Sequence, residues 1–332
     1  MLLFSTLQTY LTKMRVIDLF AGCGGLSLGF SKAGFEIGAA FENWLPAINV
    51  YRANFHHPVY NVDLSNVDDY SAFVECCPDI IIGGPPCQDF SSAGKRDENN
   101  GRGDLTVSFA KIVCAVRPQF FVMENVDRIV KTEKLRTAKK LFFDAGYGLT
   151  ETILDASLCG VPQIRKRFFL VGLRGAEDRF LEHYVMKNLN KKQMTVYDYL
   201  GNSIDTEFYY RHPRSYARRG VFSIHEPSPT IRGVNRPIPK GYKKHKGDPV
   251  NDISQVRPLT TKERSLIQTF PDDFVWLGCK TEMEQLIGNA VPVKLAMFVA
   301  NCIQEYIKDH KNQTIKTPKI PLLYHTSIKM TF

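Results

Sequence analysis

The chain has 332 residues, 44% of them hydrophobic, and a net charge of +9, so it can bury a sizeable core and divide into one large and one smaller domain. No apolar run reads as membrane-spanning, and residues 1–13 lack the basic start and small-residue cleavage site of a secretory signal; a cytoplasmic protein without membrane contact is expected. The eight cysteines are scattered, with no CxxC pair and no histidines at zinc-ligand spacing, which argues against a disulfide scaffold or a structural metal.

In chain order, the apolar run 15–20 predicts a strand, a glycine-rich turn follows, and 24–34 has helical spacing. The unit then repeats: strand 35–42, helix 45–55, strand 58–63, helix 66–75, strand 78–82, helix 105–116, strand 119–124, helix 127–144, and strands near 149–154 and 167–173. This rhythm predicts an α/β fold with a doubly wound, mostly parallel sheet, whose ligands sit beyond the carboxyl ends of the strands. Asp18, Phe20, Glu42, Asp63, Cys87 and Glu124 all fall at those ends.

Cys87 stands in Gly83-Gly84-Pro85-Pro86-Cys87-Gln88, directly after the strand 78–82. Two glycines break the strand and two prolines restrict the direction of the thiol, which points to a nucleophile rather than a core cysteine. Residues 89–103 read as a polar, glycine-hinged loop. The turn Phe20-Ala21-Gly22-Cys23-Gly24-Gly25 competes with the dinucleotide fingerprint GxGxxG, but the third glycine position falls on Ser27. With Glu42 spaced to accept from ribose hydroxyls, an adenosyl ligand without pyrophosphate is favoured and NAD is the runner-up.

The excess positive charge lies in one segment. Between Tyr209 and Lys246, ten Lys or Arg stand against one acid, Glu226. Tyr209, Tyr210, Tyr216, Phe222 and Tyr242 are interleaved with them and with several prolines, a pattern that suits a nucleic-acid backbone and base edges.

Six motifs follow one another: DLFAGCGG at 18–25, GGPPCQ at 83–88, MENV at 123–126, QIRKR at 163–167, RPLTTKE to TFPDDF at 257–274, and GNAVP at 288–292. In content and order they resemble the DNA (cytosine-5) methyltransferases over roughly 14–309. The resemblance implies the fold of S-adenosylmethionine-dependent methyltransferases with a smaller irregular, β-containing target recognition domain. It also implies methylation of carbon 5 of a specific cytosine in double-stranded DNA, after the base is flipped out of the helix. By that resemblance Cys87 adds to carbon 6 and Glu124 bonds nitrogen 3 and the exocyclic amine. Arg167 would contact the cytosine carbonyl oxygen, and Arg165 would support the catalytic loop and nearby phosphates. Strand alternation would place 163, 165 and 167 on one face.

S-adenosylmethionine is the implied cofactor, held by Asp18, Phe20, Ala21, Gly22, Gly24, Gly25, Glu42, Asn43, Asp63, Leu64, Pro86, Leu105, Asn289, Ala290 and Val291. Asn43 stands where the family often has a large apolar residue, with Trp44 next to it as a substitute. The family's serine that props open the vacated base-pair space falls near Ala93. The expected organisation is an extension 1–13, a catalytic domain 14–174, a recognition domain 175–256 with Thr230-Ile231 as its landmark, a return to the catalytic domain over 257–309, and a peripheral tail 310–332. Arg232 and Arg236 are candidates for guanine contacts, and Lys240, Lys243 and Lys244 for phosphates. A monomer is expected, partnered by a restriction endonuclease acting on the same site. The alternative is a related cytosine-5 methyltransferase acting on transfer RNA.

Overall fold

The structure, a computed structural model, describes residues 14–86, 104–213, 215 and 217–310. Cys87, Ala93 and the rest of the loop 89–103, Tyr216, the extension 1–13 and the tail from 311 lie outside the described residues.

Strands β1 (Arg15–Leu19), β2 (Glu36–Glu42), β3 (Val59–Asn61), β4 (Ile80–Gly83) and β5 (Phe120–Val126) run parallel. Strands β6 (Tyr147–Asp155) and β8 (Lys166–Arg174) complete the seven-stranded sheet as antiparallel neighbours, giving the order β3-β2-β1-β4-β5-β8-β6. The chain steps outward from β1 to β3, then returns to the other side of β1 as β4. The switch point therefore lies between the carboxyl ends of β1 and β4, where Leu19 pairs with Gly83.

Alternate side chains feed two cores, as the period of a strand requires. Val16, Ile80, Ile82, Phe120 and Val122 pack with α1 (Gly25–Lys32) and α10 (Val293–His310). Ile17, Ile81, Phe121 and Met123 pack with α4 (Leu105–Val116) and α5 (Glu133–Asp144) on the other face. Helix α4 has the predicted limits because Asp104 accepts from the Thr106 amide at 3.0 Å and Arg117, left-handed at φ 57°, precedes Pro118.

Two other helices are shorter than predicted. The 66–75 pattern contracts to α3 (Ser71–Glu75), because Asp69 accepts from the Ser71 amide and opens the turn there. The 127–144 pattern divides at Thr132, which accepts from Leu135 N and donates to Ile129 O, leaving a 3-10 turn, Asp127–Lys131, ahead of α5. Contrary to the sequence expectation, Lys280–His310, comprising α9 (Lys280–Asn289) and α10, is long and apolar enough to cross a membrane. Its most apolar window is 67% buried within the protein, where α10 packs on α1 and α6 (Glu182–Asn188).

The second unit begins later than expected, since Leu181, Tyr184 and Val185 of the α6 region join the main core. Its three-stranded sheet pairs β9 (Phe208–Tyr210) with β10 (Val221–Ser223) and with β12 (Arg257–Pro258), so it also extends past 256. Strand β11 (Ser228–Pro229) pairs with β7 (Gln163–Ile164), which joins the unit directly to the main body. Tyr209 and Tyr210, 0% and 1% exposed, are core residues, and Phe222 is buried near them. Tyr242 donates to Asp248 at 2.7 Å. Tyr209, Tyr210 and Tyr242 thus help to build the unit, while Phe222 also lies under the Arg219 guanidinium, 4.4 Å from the ring centroid.

Candidate active site

A cavity of about 430 Å3 opens at the switch point. Of the residues expected to hold a cofactor, Phe20, Ala21, Gly22, Gly25, Glu42, Asn43, Asp63, Leu64, Pro86, Leu105, Asn289, Ala290 and Val291 line it, with Trp44 beside Asn43. Asp18 and Gly24 do not. Gly24 is the left-handed cap of α1. Asp18 lies beneath the turn, fully buried, and its Oδ2 accepts from Ser27 N at 3.2 Å and Ser27 Oγ at 2.7 Å, which anchors the start of α1. Burial pushes its pKa up to about 7 against the lowering effect of those bonds.

Phe20 holds a left-handed φ of 58°, an unfavourable conformation for an aromatic residue and one that concentrates at ligand sites. Glu42 accepts from Gly22 N at 2.8 Å and from Asn43 N and Trp44 N at 2.9 Å, knitting the end of β2 to the glycine turn. At Gly25 a Cβ would stand 2.3 Å from the Val291 carbonyl oxygen, so glycine is what lets the 289–291 segment return over the turn. Among the described residues the lining carries the carboxyl groups of Glu42, Asp63 and Glu124 and no Lys or Arg. Such a lining suits a cationic ligand with hydroxyls and offers a pyrophosphate nothing to pair with.

Glu124, near the end of β5, is 8% exposed and forms part of the cavity wall. Antiparallel pairing of β5 with β8 brings Arg167 alongside, its Nε 2.9 Å from Glu124 Oε1. Burial raises the pKa of the Glu124 carboxyl, while the Arg167 and then the Arg165 guanidinium oppose that rise. Asn125 Nδ2 donates to Pro85 O at 2.8 Å and so pins the turn that carries Pro86 into the cavity wall. Its place in the MENV motif was the only sequence signal for Asn125. Cys87 follows Pro86 outside the described residues.

The QIRKR run is not one strand with three residues acting together. Arg165 interrupts it between β7 and β8. Gln163, 0% exposed, donates to Gln268 Oε1 at 2.7 Å and accepts from Ile231 N at 2.9 Å. Arg165, 1% exposed, donates to Ile231 O at 2.9 Å and to Gly288 O and Ala290 O at 3.0 Å. Its guanidinium bonds carbonyls of the second unit and the return segment and so fastens three parts of the chain together, while Arg165 also lines a neighbouring basic cleft.

A basic cleft of about 740 Å3 runs between β8 and the second unit. Arg128, Arg165, Lys166, Arg167, Arg211, Arg218, Arg219 and Arg232 line it, with Asp127 as the one acid among the described residues of the lining. Asn289 borders both the cleft and the cavity. Of the five recognition-segment residues expected to meet guanines or phosphates, Arg232 lines the cleft, as do Arg165 and Arg167 of the QIRKR run, and Arg232 also donates to the His212 carbonyl. Arg236, Lys240, Lys243 and Lys244 stand outside it, exposed. Arg211, Arg218 and Arg219 were visible only within the basic count of their segment, and Arg128 had no signal.

A doubly wound sheet with this cavity at its switch point is the methyltransferase fold. The chain belongs to the family of C-5 cytosine-specific DNA methylases, which it matches over residues 14–305. It is similar to the Type II methyltransferase M.HindV of Haemophilus influenzae, at 60% identity over 298 residues that cover 89% of this chain and 98% of the relative. It is also similar to M.HgiDI of Herpetosiphon aurantiacus, at 55% identity over 303 residues, 91% of this chain and 98% of the relative. Among solved structures the fold resembles S. pombe Dnmt2 methyltransferase with a TM-score of 0.67 at 17% identity, covering 90% of this chain and 99% of that one. A putative DNA modification methyltransferase of an E. coli prophage gives 0.65 at 23% identity, covering 89% and 100%.

Proposed function

We propose that this chain is the modification enzyme of a Type II restriction system and transfers a methyl group from S-adenosylmethionine to carbon 5 of one cytosine in a specific duplex DNA sequence. The observation that carries this reading is the position of Glu124. It forms part of the wall of the phosphate-averse cavity while paired with Arg167, which lines the basic cleft.

The cavity suits the cofactor on its chemistry. Phe20, Trp44, Leu64 and Pro86 provide apolar surface for an adenine, and Glu42 and Asp63 provide acceptors for ribose and adenine polar groups. When bound there, S-adenosylmethionine supplies an electrophilic methyl on a sulfonium. The cleft arginines hold the phosphates of the duplex, and the target base must leave the stack to reach Glu124. Cys87 then adds through its thiolate to carbon 6, which makes carbon 5 nucleophilic. Glu124, whose burial favours the protonated form by raising its pKa, donates a hydrogen bond to nitrogen 3 in that form and withdraws the charge that the addition pushes into the ring. Arg167 orients that carboxyl and meets the base carbonyl. After methyl transfer, loss of the carbon 5 proton and departure of the Cys87 sulfur restore the aromatic ring. A restriction endonuclease reading the same sequence is the partner this function requires, and the cytoplasm its compartment.

The test uses DNA from cells expressing the chain, bisulfite-sequenced to find the methylated sequence, then a duplex carrying 5-fluorocytosine at that target. With donor present the enzyme becomes covalently attached through Cys87, and Cys87→Ser does not. Methylation without any adduct at Cys87 refutes the covalent route; no methylated cytosine in any sequence refutes the function.

A further inference from the structure

A line of hydrogen bonds runs from beneath the cofactor cavity to the surface. Asp18 Oδ2 accepts from Ser27 Oγ at 2.7 Å, Ser27 Oγ lies 2.6 Å from the Tyr51 hydroxyl, and that hydroxyl lies 2.7 Å from His57 Nε2. Asp18, Ser27 and Tyr51 are each 0% exposed, whereas His57 is part-exposed. The Tyr51 ring stacks on Phe55 at 4.3 Å between centroids, which fixes the hydroxyl in the line.

Because each hydroxyl donates once and can accept, the line has two self-consistent polarities. In one, His57 Nε2–H donates to Tyr51, Tyr51 to Ser27, and Ser27 to an Asp18 carboxylate. In the other, protonated Asp18 donates to Ser27, Ser27 to Tyr51, and Tyr51 to the bare Nε2 of His57. Passing between them, the imidazolium loses its Nε2 proton, each O–H shifts by one place and Asp18 Oδ2 gains a proton, so the buried acid exchanges with solvent through His57.

We propose that Ser27, Tyr51 and His57 are positioning residues for the cofactor site, which set the charge of the carboxyl beneath the glycine turn and couple methyl-donor affinity to pH. This rests on the reading of the cavity as the S-adenosylmethionine site. A cationic sulfonium is held better above a carboxylate than above a neutral acid, and the uncharged thioether left after transfer does not share that preference. Asp18 ionises near neutrality because burial raises its pKa to about 7. Facing it are Glu42 from β2, Cys23 from the turn and Tyr51 from α2 (Leu45–Asn54). Cys23 stays neutral, its thiol pushed up to about 12 by burial. His57 faces His56 and Tyr51, and burial and then His56 lower its pKa.

Calorimetric titration of the full chain with S-adenosylmethionine and with S-adenosylhomocysteine, from about pH 6 to about pH 8, tests this. Donor affinity rises about fivefold across that range while product affinity stays flat. Ser27→Ala removes a bond that lowers the Asp18 pKa and so moves the midpoint of the donor profile to higher pH, Tyr51→Phe and His57→Gln shift that midpoint as well, and a thermal midpoint for each variant identifies any that fails to fold. A role in packing alone would leave folded variants with the wild-type pH midpoint, and that result overturns the inference. A flat wild-type profile overturns it as well. If the wild type binds neither compound at any pH, the cofactor reading falls and takes this inference with it.

Discussion

Gly288→Ala isolates the contact between α9 and the segment 231–233 of the second unit. Gly288 sits in α9 with an ordinary helical backbone, so alanine alone would favour the helix by about 1 kcal/mol. The added Cβ, however, would stand 2.1 Å from Gly233 N and 2.2 Å from Arg232 C. Both are backbone atoms, and their segment is held by Gln163 on Ile231 N, by Arg165 on Ile231 O and by Arg264 on the Arg232 carbonyl. Restoring van der Waals contact needs a shift of roughly 1 Å or more, enough to break the charged bond from Arg165. Overpacking of about 1–3 kcal/mol and a charged hydrogen bond of about 1.5–3 kcal/mol, less the helix gain of about 1 kcal/mol, leave a loss of about 1.5–5 kcal/mol. Urea unfolding measures it. Gly38→Ala is the control, because its Cβ would meet Arg15 Nε, on a flexible side chain, at 2.4 Å, and it should cost less than about 1 kcal/mol. DNA affinity of Gly288→Ala, measured by fluorescence anisotropy, falls more than cofactor affinity because the displaced loop carries Arg232. Equal stability of Gly288→Ala and wild type, with unchanged DNA binding, would refute the argument.

Arg165→Lys loses the planar fork that serves three carbonyls and is expected to destabilise the chain by about 2–4 kcal/mol in the same urea assay, although charge is conserved. Glu124→Gln removes the carboxyl proton and should lower single-turnover methylation about 10²–10⁴-fold with donor affinity unchanged in calorimetry. In the wild type, the raised folded pKa of Glu124 keeps the carboxyl protonated to higher pH, so the single-turnover rate falls as pH rises through that value. Asp18 ionises at about 7 when folded against 3.8 ordinarily, so the unfolded carboxyl ionises first as pH rises. Unfolding free energy therefore declines between about pH 4 and about pH 7, by about 4 kcal/mol at most, and Asp18→Asn should flatten that slope in denaturant titrations.

What the sequence showed well is what local periodicity and punctuation control. The alternation of Ile80, Ile81 and Ile82 between two faces is written in a run of buried strand residues, and the two cores follow from it. Asp104 before an apolar helical run and Pro118 after it mark α4 to the residue. The failures have local causes of a kind that pattern does not weigh. A capping side chain outcompeted helical spacing at Asp69 and Thr132, and Arg165 broke a strand whose alternation looked continuous.

The site divides along the same line. The cavity residues come from strand ends and their turns, so topology alone brings most of them together once the strand order is known. Asp18 was misplaced by one layer because its side chain turns under the glycine turn to Ser27, a choice made by the α1 amide and hydroxyl rather than by the motif. The placing of the segment 231–233 could not be read from its own residues. Ile231 is held through Gln163 and Arg165, the Arg232 carbonyl through Arg264, and Arg264 itself pairs with the buried Glu284. These are links between distant parts of the chain, and each depends on the fold already being formed. A basic segment therefore announces itself by composition, while the choice of Arg232 over Arg236 to face the cleft is made by residues elsewhere in the sequence.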